Sequence, residues 1–320
     1  MKDNHNREID YMRISITDRC NFRCRYCMPE GCEKVEMSRI LTYEQILKVC
    51  EAAAIVGIHK VKVTGGEPLV RKGCVEFIRR LNKIAGIDEV TLTSNGALLE
   101  ENLPQLIDAG VRSVNMSLDS LNKNRFDSIT GGGNLEKVLS ALDASVASGV
   151  NVKINTVIQN GVNDDEILAL CDMAFSKGVP IRFIELMPVG FGDRMRSYSN
   201  EIVKDKIKQV YKGLVLDGEK HGNGPAVYYK TADGSGRVGF ISALNGVFCD
   251  SCNRIRLTSQ GMIKPCLCYE DSIDIKPYLN CGIDVIANCI KDAIEKKPGK
   301  HCFNDTGASV DKRAMSQIGG

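Results

Sequence analysis

The sequence predicts an α/β fold, a partial (β/α)6 TIM-like barrel that stays open, followed by a C-terminal extension. Strand-like runs alternate six times with helix-like runs between residues 13 and 210, and glycines separate many of them. Strands joined by intervening helices run parallel, with right-handed crossovers. Because six such units are fewer than the eight of a closed barrel, we expect an open one.

The individual elements follow from their periodicity. Strand-like runs are predicted at Arg13–Thr17, Lys60–Thr64, Glu89–Ser94, Ser113–Leu118, Asn151–Ile158 and Ile181–Met187. Apolar residues at helical spacing predict helices at Thr42–Val56, Gly73–Ile84, Glu100–Ala109, Leu135–Ser148, Asp164–Ser176 and Asn200–Val210. A glycine after a helix is typical of a C-cap, and such glycines stand at Gly57, Gly86, Gly110, Gly149 and Gly178.

The alternation stops near His221, where a glycine-rich run begins. Two short strand-like runs, Ala226–Lys230 and Arg237–Ile241, flank a turn and predict a β-hairpin. A last helix is predicted at Cys281–Lys296. We therefore expect two regions, the barrel core at residues 1–222 and a cysteine-containing C-terminal region at residues 223–320.

Composition restricts the function classes. The chain has 320 residues and a formal net charge of +2, which argues against a broad nucleic-acid-binding surface. No apolar segment follows the charged start, and no apolar run is long enough to span a membrane. The sequence therefore predicts a cytoplasmic protein. In a long chain of this kind the 14 cysteines are expected to be thiols or metal ligands rather than disulfides.

The first metal-binding candidate is the loop after the first predicted strand. Cys20, Cys24 and Cys27 have the spacing C-x3-C-x2-C. Three thiolates fill three corners of a four-iron, four-sulfur (4Fe–4S) cluster and leave the fourth iron open for a substrate or cofactor. A structural zinc that adds Cys32 is the alternative, although zinc sites usually pair their ligands as two C-x2-C units.

A second cysteine group lies near residue 250. Cys249, Cys252 and Cys266 have the spacing C-x2-C-x13-C. A zinc site is the alternative here also, and Cys268 is a possible fourth or competing ligand. Arg254 and Arg256 follow the pair on a predicted strand and project to one side. Two fixed cations beside a metal centre favour an anionic ligand over a purely structural role.

Polar residues and glycines also collect where the predicted strands end. In barrels of parallel strands these ends carry the functional residues. Thr64-Gly65-Gly66-Glu67-Pro68 follows the second strand, and its glycines let the backbone approach a ligand closely. Thr93, Ser117, Lys153 and Met187 lie on or near the next four strands.

These motifs together resemble the GTP 3′,8-cyclase family of radical S-adenosylmethionine (SAM) enzymes over nearly the whole chain. The resemblance rests on the cysteine loop followed by Met28-Pro29, on Gly65-Gly66-Glu67-Pro68-Leu69, on residues 182–187, on the Cys-x2-Cys-Asn-Arg-Ile-Arg run and on the terminal Gly319-Gly320. It implies a partial radical SAM barrel and two 4Fe–4S clusters. The family reductively cleaves SAM to 5′-deoxyadenosine and methionine and converts GTP to 3′,8-cyclo-7,8-dihydro-GTP, the first step of molybdenum cofactor biosynthesis.

The resemblance also assigns roles to residues. It implies cluster 1 on Cys20, Cys24 and Cys27, cluster 2 on Cys249, Cys252 and Cys266, and SAM contacts at Tyr26, Gly66, Ser117 and Met187. It implies GTP contacts at Arg13, Lys62, Thr93, Lys153, Arg254, Ile255 and Arg256. Lys62 stands where the family usually has arginine. The positive charge is kept, but the planar guanidinium, which can donate two parallel hydrogen bonds, is lost.

The chain end is expected to act in catalysis. In the family the terminal glycine pair threads into the active site and supports productive SAM cleavage, whereas the alternative is an ordinary frayed terminus. We expect that deletion of Gly319 and Gly320 leaves both clusters in place and largely abolishes turnover. Unchanged activity of the truncated chain would contradict this.

Two other functions remain open from the sequence. One is a radical SAM peptide-modifying enzyme with an auxiliary cluster, and the other is a non-catalytic zinc-binding or RNA-binding protein. The expected partners are GTP, an external electron donor and, downstream, a pyranopterin-forming enzyme, with no nucleic acid and no membrane. The chain is expected to be a monomer or homodimer.

Overall fold

The computed structural model describes residues 1–31, 35–219, 221–244, 248–303, 309–311 and 313–318. Its strands are β1 (Tyr11–Ser15), β2 (Lys60–Thr64), β3 (Glu89–Ser94), β4 (Ser113–Ser117), β5 (Asn151–Ile158), β6 (Ile181–Glu185), β7 (Leu214–Leu216), β8 (Val227–Thr231), β9 (Arg237–Ile241), β10 (Arg254–Leu257), β11 (Met262–Lys264) and β12 (Ile273–Asp274). Its α-helices are α1 (Tyr43–Val56), α2 (Cys74–Leu81), α3 (Leu99–Asp108), α4 (Lys123–Thr130), α5 (Leu135–Ala147), α6 (Ile167–Ser176), α7 (Asn200–Val210) and α8 (Ile283–Glu295).

The strands form one sheet, in the order β12-β11-β10-β1-β2-β3-β4-β5-β6-β9-β8-β7. The six central strands are parallel and follow one another in chain order, which confirms the predicted partial barrel. Strand β10 pairs with β1 and strand β9 pairs with β6, both in parallel. Strands from the C-terminal part of the chain thus extend the sheet at both edges. The division at residue 222 stays a prediction.

Several predicted bounds differ from those of the structure. The first strand begins two residues earlier than predicted and ends at Ser15. Thr17 already belongs to the loop, because its carbonyl oxygen accepts a hydrogen bond from the backbone N–H of Gly66. The sequence prediction missed α4, which is mostly polar and is capped by the Asn122 side chain at the N–H of Arg125. The predicted hairpin is present as the antiparallel pair β8 and β9.

Alternation along the central strands separates a packed face from a polar interior. On β2, Val61 and Val63 are buried in the apolar core that the helices cover. Lys62 lies between them and therefore projects to the other face, where it lines a cavity. Because β1 pairs with both β2 and β10, Arg13 lies beside Lys62 on one strand and Arg256 on the other.

Helix α8 attaches the end of the chain to the barrel by packing against α1. Helix α1 is well defined at both ends: Thr42 and Gln45 form a reciprocal capping box, and Gly57 at φ 98° is in the left-handed conformation that favours glycine. Within the part of the chain that the structure describes, no helix has both the length and the apolar character needed to cross a bilayer.

Candidate active site

Two adjoining cavities lie inside the barrel. The first has a volume of about 270 Å³ and is lined by Cys20, Cys24 and Cys27. The second has a volume of about 160 Å³ and is lined by Cys249, Cys252 and Cys266. The residues that line both cavities are Arg13, Thr93, Asn155, Ile184, Met187, Arg256 and Leu267. A ligand in one cavity therefore lies close to a ligand in the other.

The cysteine loop of the first cavity is held by the side chain of Arg23, which belongs to the loop. Nη1 of Arg23 donates hydrogen bonds to the carbonyl oxygens of Cys20 at 2.6 Å and Phe22 at 2.8 Å. Burial raises the pKa of Cys20 to about 11 and that of Cys27 to about 12. The rise follows from burial, and ionisation of these thiols would need the charge of a metal to compensate it.

The separation of the cysteine sulfurs bears on the choice between zinc and an iron–sulfur cluster. A tetrahedral zinc with Zn–S bonds of about 2.3 Å brings its sulfurs to within roughly 4 Å of one another. Among the described residues, the one group of three potential ligands that lies this close, within 4.8 Å, is Asp217, Glu219 and His221. Among the same residues neither cysteine triplet forms so close a group, which does not favour a single zinc ion, and the 4Fe–4S assignment of each triplet stays a prediction. Cys32, the fourth ligand in the zinc alternative, lies outside the described residues.

Tyr26 is fixed at the wall of the first cavity. Its hydroxyl donates a hydrogen bond of 2.7 Å to Oδ2 of Asp119, and Oδ1 of Asp119 accepts the backbone N–H of Val157 at 2.8 Å. Burial raises the pKa of Asp119 to about 6, although both hydrogen bonds oppose the rise. The aromatic ring thus has one orientation beside the cysteines.

The other residues predicted to hold SAM line the same cavity. Gly66, Ser117 and Met187 are all found there. A Cβ atom at Gly66 would lie 2.4 Å from the carbonyl oxygen of Arg19, so only glycine allows this loop to pass the cysteine loop. Their contacts with SAM stay predictions.

Positive charge surrounds the thiols of the second cavity. Burial opposes ionisation of Cys252, but the charges of Arg254 and Lys297 outweigh it and lower its pKa to about 6. A hydrogen bond from Cys268 is the main cause that lowers the pKa of Cys266 to about 5. Nζ of Lys297 also donates to the carbonyl oxygens of Arg254 at 2.9 Å and Pro265 at 2.7 Å. This buried lysine joins the two segments that carry the cysteines.

A row of cations continues from the second cavity along the interior of the sheet. Arg13, Lys62, Arg254 and Arg256 line this cavity. Burial, with neighbouring positive charge, lowers the pKa of Lys62 well below its usual value and that of Arg256 to about 9. A site with several desolvated cations is suited to a polyanion.

Two predicted GTP contacts lie elsewhere. Lys153 lines a separate cavity of about 590 Å³ with Glu89 and Asn223, and its Nζ donates to Oγ of Ser113 at 3.3 Å. Ile255 is fully buried in the apolar core, on the face of β10 opposite to its arginine neighbours. The structure does not bring the Ile255 side chain to either cavity.

Sequence reasoning missed two residues of the site. Arg182 is buried, lines the second cavity and donates from Nη2 to Oδ1 of Asn115 at 2.6 Å. It alternates along β6 with Ile181 and Phe183, which pack in the core, and this alternation could have indicated a side chain that points into the barrel. Lys297 follows directly after an exposed lysine at the end of a helix, and no sequence signal separates the two.

Two residues near the C-terminus reach the first cavity. Met315 and Ser316 line it, and the backbone N–H of Ser316 hydrogen-bonds the Cys27 thiol. Gly319 and Gly320 lie outside the described residues. The predicted role of the glycine pair therefore stays a prediction.

Comparisons with known proteins agree with this arrangement. A family model described as the radical SAM superfamily matches residues 14–174, and one described as molybdenum cofactor synthesis C matches residues 179–303. Proteins named GTP 3′,8-cyclase from Clostridium perfringens (strain SM101 / Type A) and Pelotomaculum thermopropionicum are 43% and 45% identical to the chain, each over 100% of both sequences.

A solved structure supports the fold. The structure of Streptococcus suis SuiB bound to S-adenosylmethionine superposes with a TM-score of 0.63 at 14% identity, over 98% of this chain and 78% of that one. At this identity the likeness concerns the fold alone.

Proposed function

The chain belongs to the GTP 3′,8-cyclase family of radical SAM enzymes, and we propose that SAM occupies the first cavity and GTP the second. The enzyme converts GTP to 3′,8-cyclo-7,8-dihydro-GTP for molybdenum cofactor biosynthesis, with SAM and iron–sulfur clusters as its cofactors. The observation that carries the assignment is that each cysteine triplet opens onto a cavity and that the two cavities share lining residues.

The cofactors supply the radical chemistry, and the protein supplies positions and charge. When bound, reduced cluster 1 and SAM together supply the radical that removes hydrogen from C3′ of GTP. The carbon radical left on the substrate then bonds to C8 of guanine, and one further electron and a proton complete the product. The electron comes from an external donor, whose identity stays open.

In the first cavity, three features hold SAM beside the cluster. Tyr26, oriented by Asp119, presents its ring to the adenine. Gly66 brings backbone groups close to the amino-acid end of SAM, since it has no side chain to keep them apart. Ser117 and Met187 complete the wall. The tight fit around Gly66 restricts the position of SAM and so the direction in which hydrogen is taken.

In the second cavity, Arg254 and Arg256 stand beside the cluster 2 cysteines and bind the nucleotide. Arg13, Lys62 and Arg182 continue the positive charge and hold the triphosphate. Thr93 lines both cavities and can donate its hydroxyl to the ribose or phosphate. Lys153 extends the positive path toward the opposite end of the barrel.

The assignment is tested by one incubation. Protein reconstituted with iron and sulfide is mixed without oxygen with SAM, a strong reductant and GTP, and the products are analysed by mass spectrometry. We expect 5′-deoxyadenosine that depends on GTP, and a new product isomeric with GTP. Deoxyadenosine without such a product would contradict GTP as the substrate and favour a peptide-modifying enzyme. A fully iron-loaded protein that forms no deoxyadenosine would contradict the role of cluster 1.

The remaining partners follow from the reaction. The product needs a second enzyme that builds the pyranopterin. We assign no surface of this chain to contact with that enzyme. A monomer or homodimer and a cytoplasmic location also stay predictions. Size-exclusion chromatography with light scattering measures the first of these.

A further inference from the structure

Two thiols touch each other at the edge of the second cavity. The Sγ atoms of Cys266 and Cys268 are 3.6 Å apart. Cys266 is half-buried and lines the second cavity together with Cys249 and Cys252. Cys268 is fully buried in a small apolar cluster with Cys302 and Phe303. Both thiols line the second cavity, and Cys266 is the more exposed of the two while Cys268 packs against it.

We propose that Cys268 is a positioning residue for cluster 2, whose S–H donates a hydrogen bond to the Cys266 thiolate. The proposal rests on the proposed function, in which Cys266 is a cluster ligand. A thiolate bound to iron has no proton. Of the two sulfurs, only Cys268 can then be the donor, and the 3.6 Å contact becomes a hydrogen bond of fixed direction.

The surroundings of Cys268 hold it in this position. Its Sγ accepts the backbone N–H of Cys302 at 3.3 Å. Its carbonyl oxygen accepts the backbone N–H of Val310 at 2.9 Å and the hydroxyl of Ser309 at 3.0 Å. With its backbone anchored and its sulfur already accepting, Cys268 has its thiol proton left to donate, and the Cys266 sulfur lies 3.6 Å away. Cys302, Ser309 and Val310 thus fix the position of Cys268 beside Cys266.

The hydrogen bond has a consequence for the metal. A donor to a ligand sulfur withdraws electron density from the cluster and raises its reduction potential. An iron with less electron density is also a stronger Lewis acid toward a purine base. Loss of the bond is therefore expected to lower the potential of cluster 2 and to weaken GTP binding.

Four variants test the proposal: Cys268→Ala, Cys268→Ser, Cys266→Ala and, as a matched buried thiol in α8, Cys289→Ala. Each is made in the full chain, and again in a chain in which alanine replaces Cys20, Cys24 and Cys27 so that cluster 2 is measured alone. Iron per chain and the midpoint potential, followed by electron paramagnetic resonance, are the readouts. Circular dichroism verifies folding.

We expect Cys268→Ala to retain the iron of cluster 2 and to shift its midpoint potential downward. Cys268→Ser, whose hydroxyl can donate, should shift less, and Cys289→Ala should match the wild type. Cys266→Ala should lose the cluster. An unchanged potential in Cys268→Ala would overturn the hydrogen bond.

Loss of iron in Cys268→Ala with retention in Cys266→Ala would also overturn the proposal, because it would make Cys268 the ligand. Retention of all the iron in both single variants and in the Cys266→Ala/Cys268→Ala double variant would instead overturn the cluster 2 assignment. The GTP incubation is run on the same samples, so failure of the proposed function and failure of the positioning role are distinguished.

Discussion

A single buried lysine joins the two segments that carry the cluster 2 cysteines. Lys297 donates to the carbonyl oxygens of Arg254, two residues after Cys252, and of Pro265, directly before Cys266. Its methionine variant keeps the volume and leaves both carbonyls without this donor, at a cost of about 1–3 kcal/mol for each buried group. We predict that Lys297→Met lowers bound iron from about eight atoms per chain toward about four, because cluster 2 alone is lost.

Iron and sulfide analysis of the anaerobically reconstituted protein measures this loss. Lys296→Met changes the exposed neighbouring lysine and should keep both clusters. Equal iron in the two variants would show that Lys297 does not organise the ligand segments.

Tyr26 provides the corresponding test at the first cavity. Its hydroxyl bonds Asp119 at 2.7 Å, and Tyr26→Phe removes that bond while the ring stays. Because one such bond contributes about 0.5–1.5 kcal/mol, the dissociation constant for SAM should rise roughly 2- to 10-fold. Equilibrium binding of SAM to the reconstituted variant measures the change, with the exposed Tyr278→Phe as control. Wild-type affinity in Tyr26→Phe would mean that the ring alone sets the position.

Residues with a spacing signal were predictable and residues without one were not. The cysteines of both triplets are close in sequence or follow a strand, and each triplet lines a common cavity. Arg182 and Lys297 are charged residues that sequence patterns usually place on the surface. Their burial depends on strands and carbonyl groups distant in the chain, which local periodicity does not contain.

At the scale of the element, successive side chains of β10 lie on opposite faces of the sheet and therefore differ in function. Arg256 points into the shared interior, whereas Ile255 packs into the core. Arg256→Ala should weaken GTP binding roughly 10- to 100-fold, since a charge-assisted hydrogen bond contributes about 1.5–3 kcal/mol. Ile255→Val should leave GTP binding unchanged and lower the free energy of unfolding by about 0.5–1.5 kcal/mol.

Calorimetric titration with GTP and denaturant unfolding separate the two effects. Arg39→Ala, at an exposed arginine, is the control for loss of a charge. Weaker GTP binding in Ile255→Val would instead show that the predicted contact acts through the backbone of this residue.

The bounds of some strands were predicted correctly from the sequence, whereas the pairing of distant strands was not. The bounds of β2, β3 and β5 agree with prediction residue for residue, since each is bounded by turn residues and has a clear period. Pairing of β1 with β10, far away in sequence, is not contained in any local pattern. Yet this pairing brings Arg256 beside Arg13 and so unites the two cavities.

At the scale of the whole molecule, the barrel encloses many cations. Burial and the charge of Arg182 lower the pKa of Lys153 from 10.5 to about 8. Above this pH the lysine loses its proton and with it the attraction that we propose for the triphosphate. We predict that the dissociation constant for GTP rises with pH above about 8, and that Lys153→Arg, which stays charged, reduces this rise. A pH dependence that Lys153→Arg leaves unchanged would assign the titration to another group, such as Lys62.

The buried charge of Lys153 also affects the free energy of unfolding of the protein without substrate. Between about 8 and 10.5 the folded state holds fewer protons on Lys153 than the unfolded state does, so the free energy of unfolding rises with pH in this window. Lys153→Met removes the buried charge and should therefore raise the melting temperature at pH 7, with a difference from wild type that diminishes as the pH approaches 10.5.

Differential scanning fluorimetry under anaerobic conditions, with and without GTP, measures both states. Added GTP should raise the melting temperature of the wild type more than that of Lys153→Met, because the triphosphate neutralises the charge that burial leaves uncompensated. A variant less stable than the wild type at pH 7 would mean that the hydrogen bond to Ser113 outweighs the cost of burying the charge. Lys153 would then be a structural residue of the barrel rather than a cation kept for the substrate.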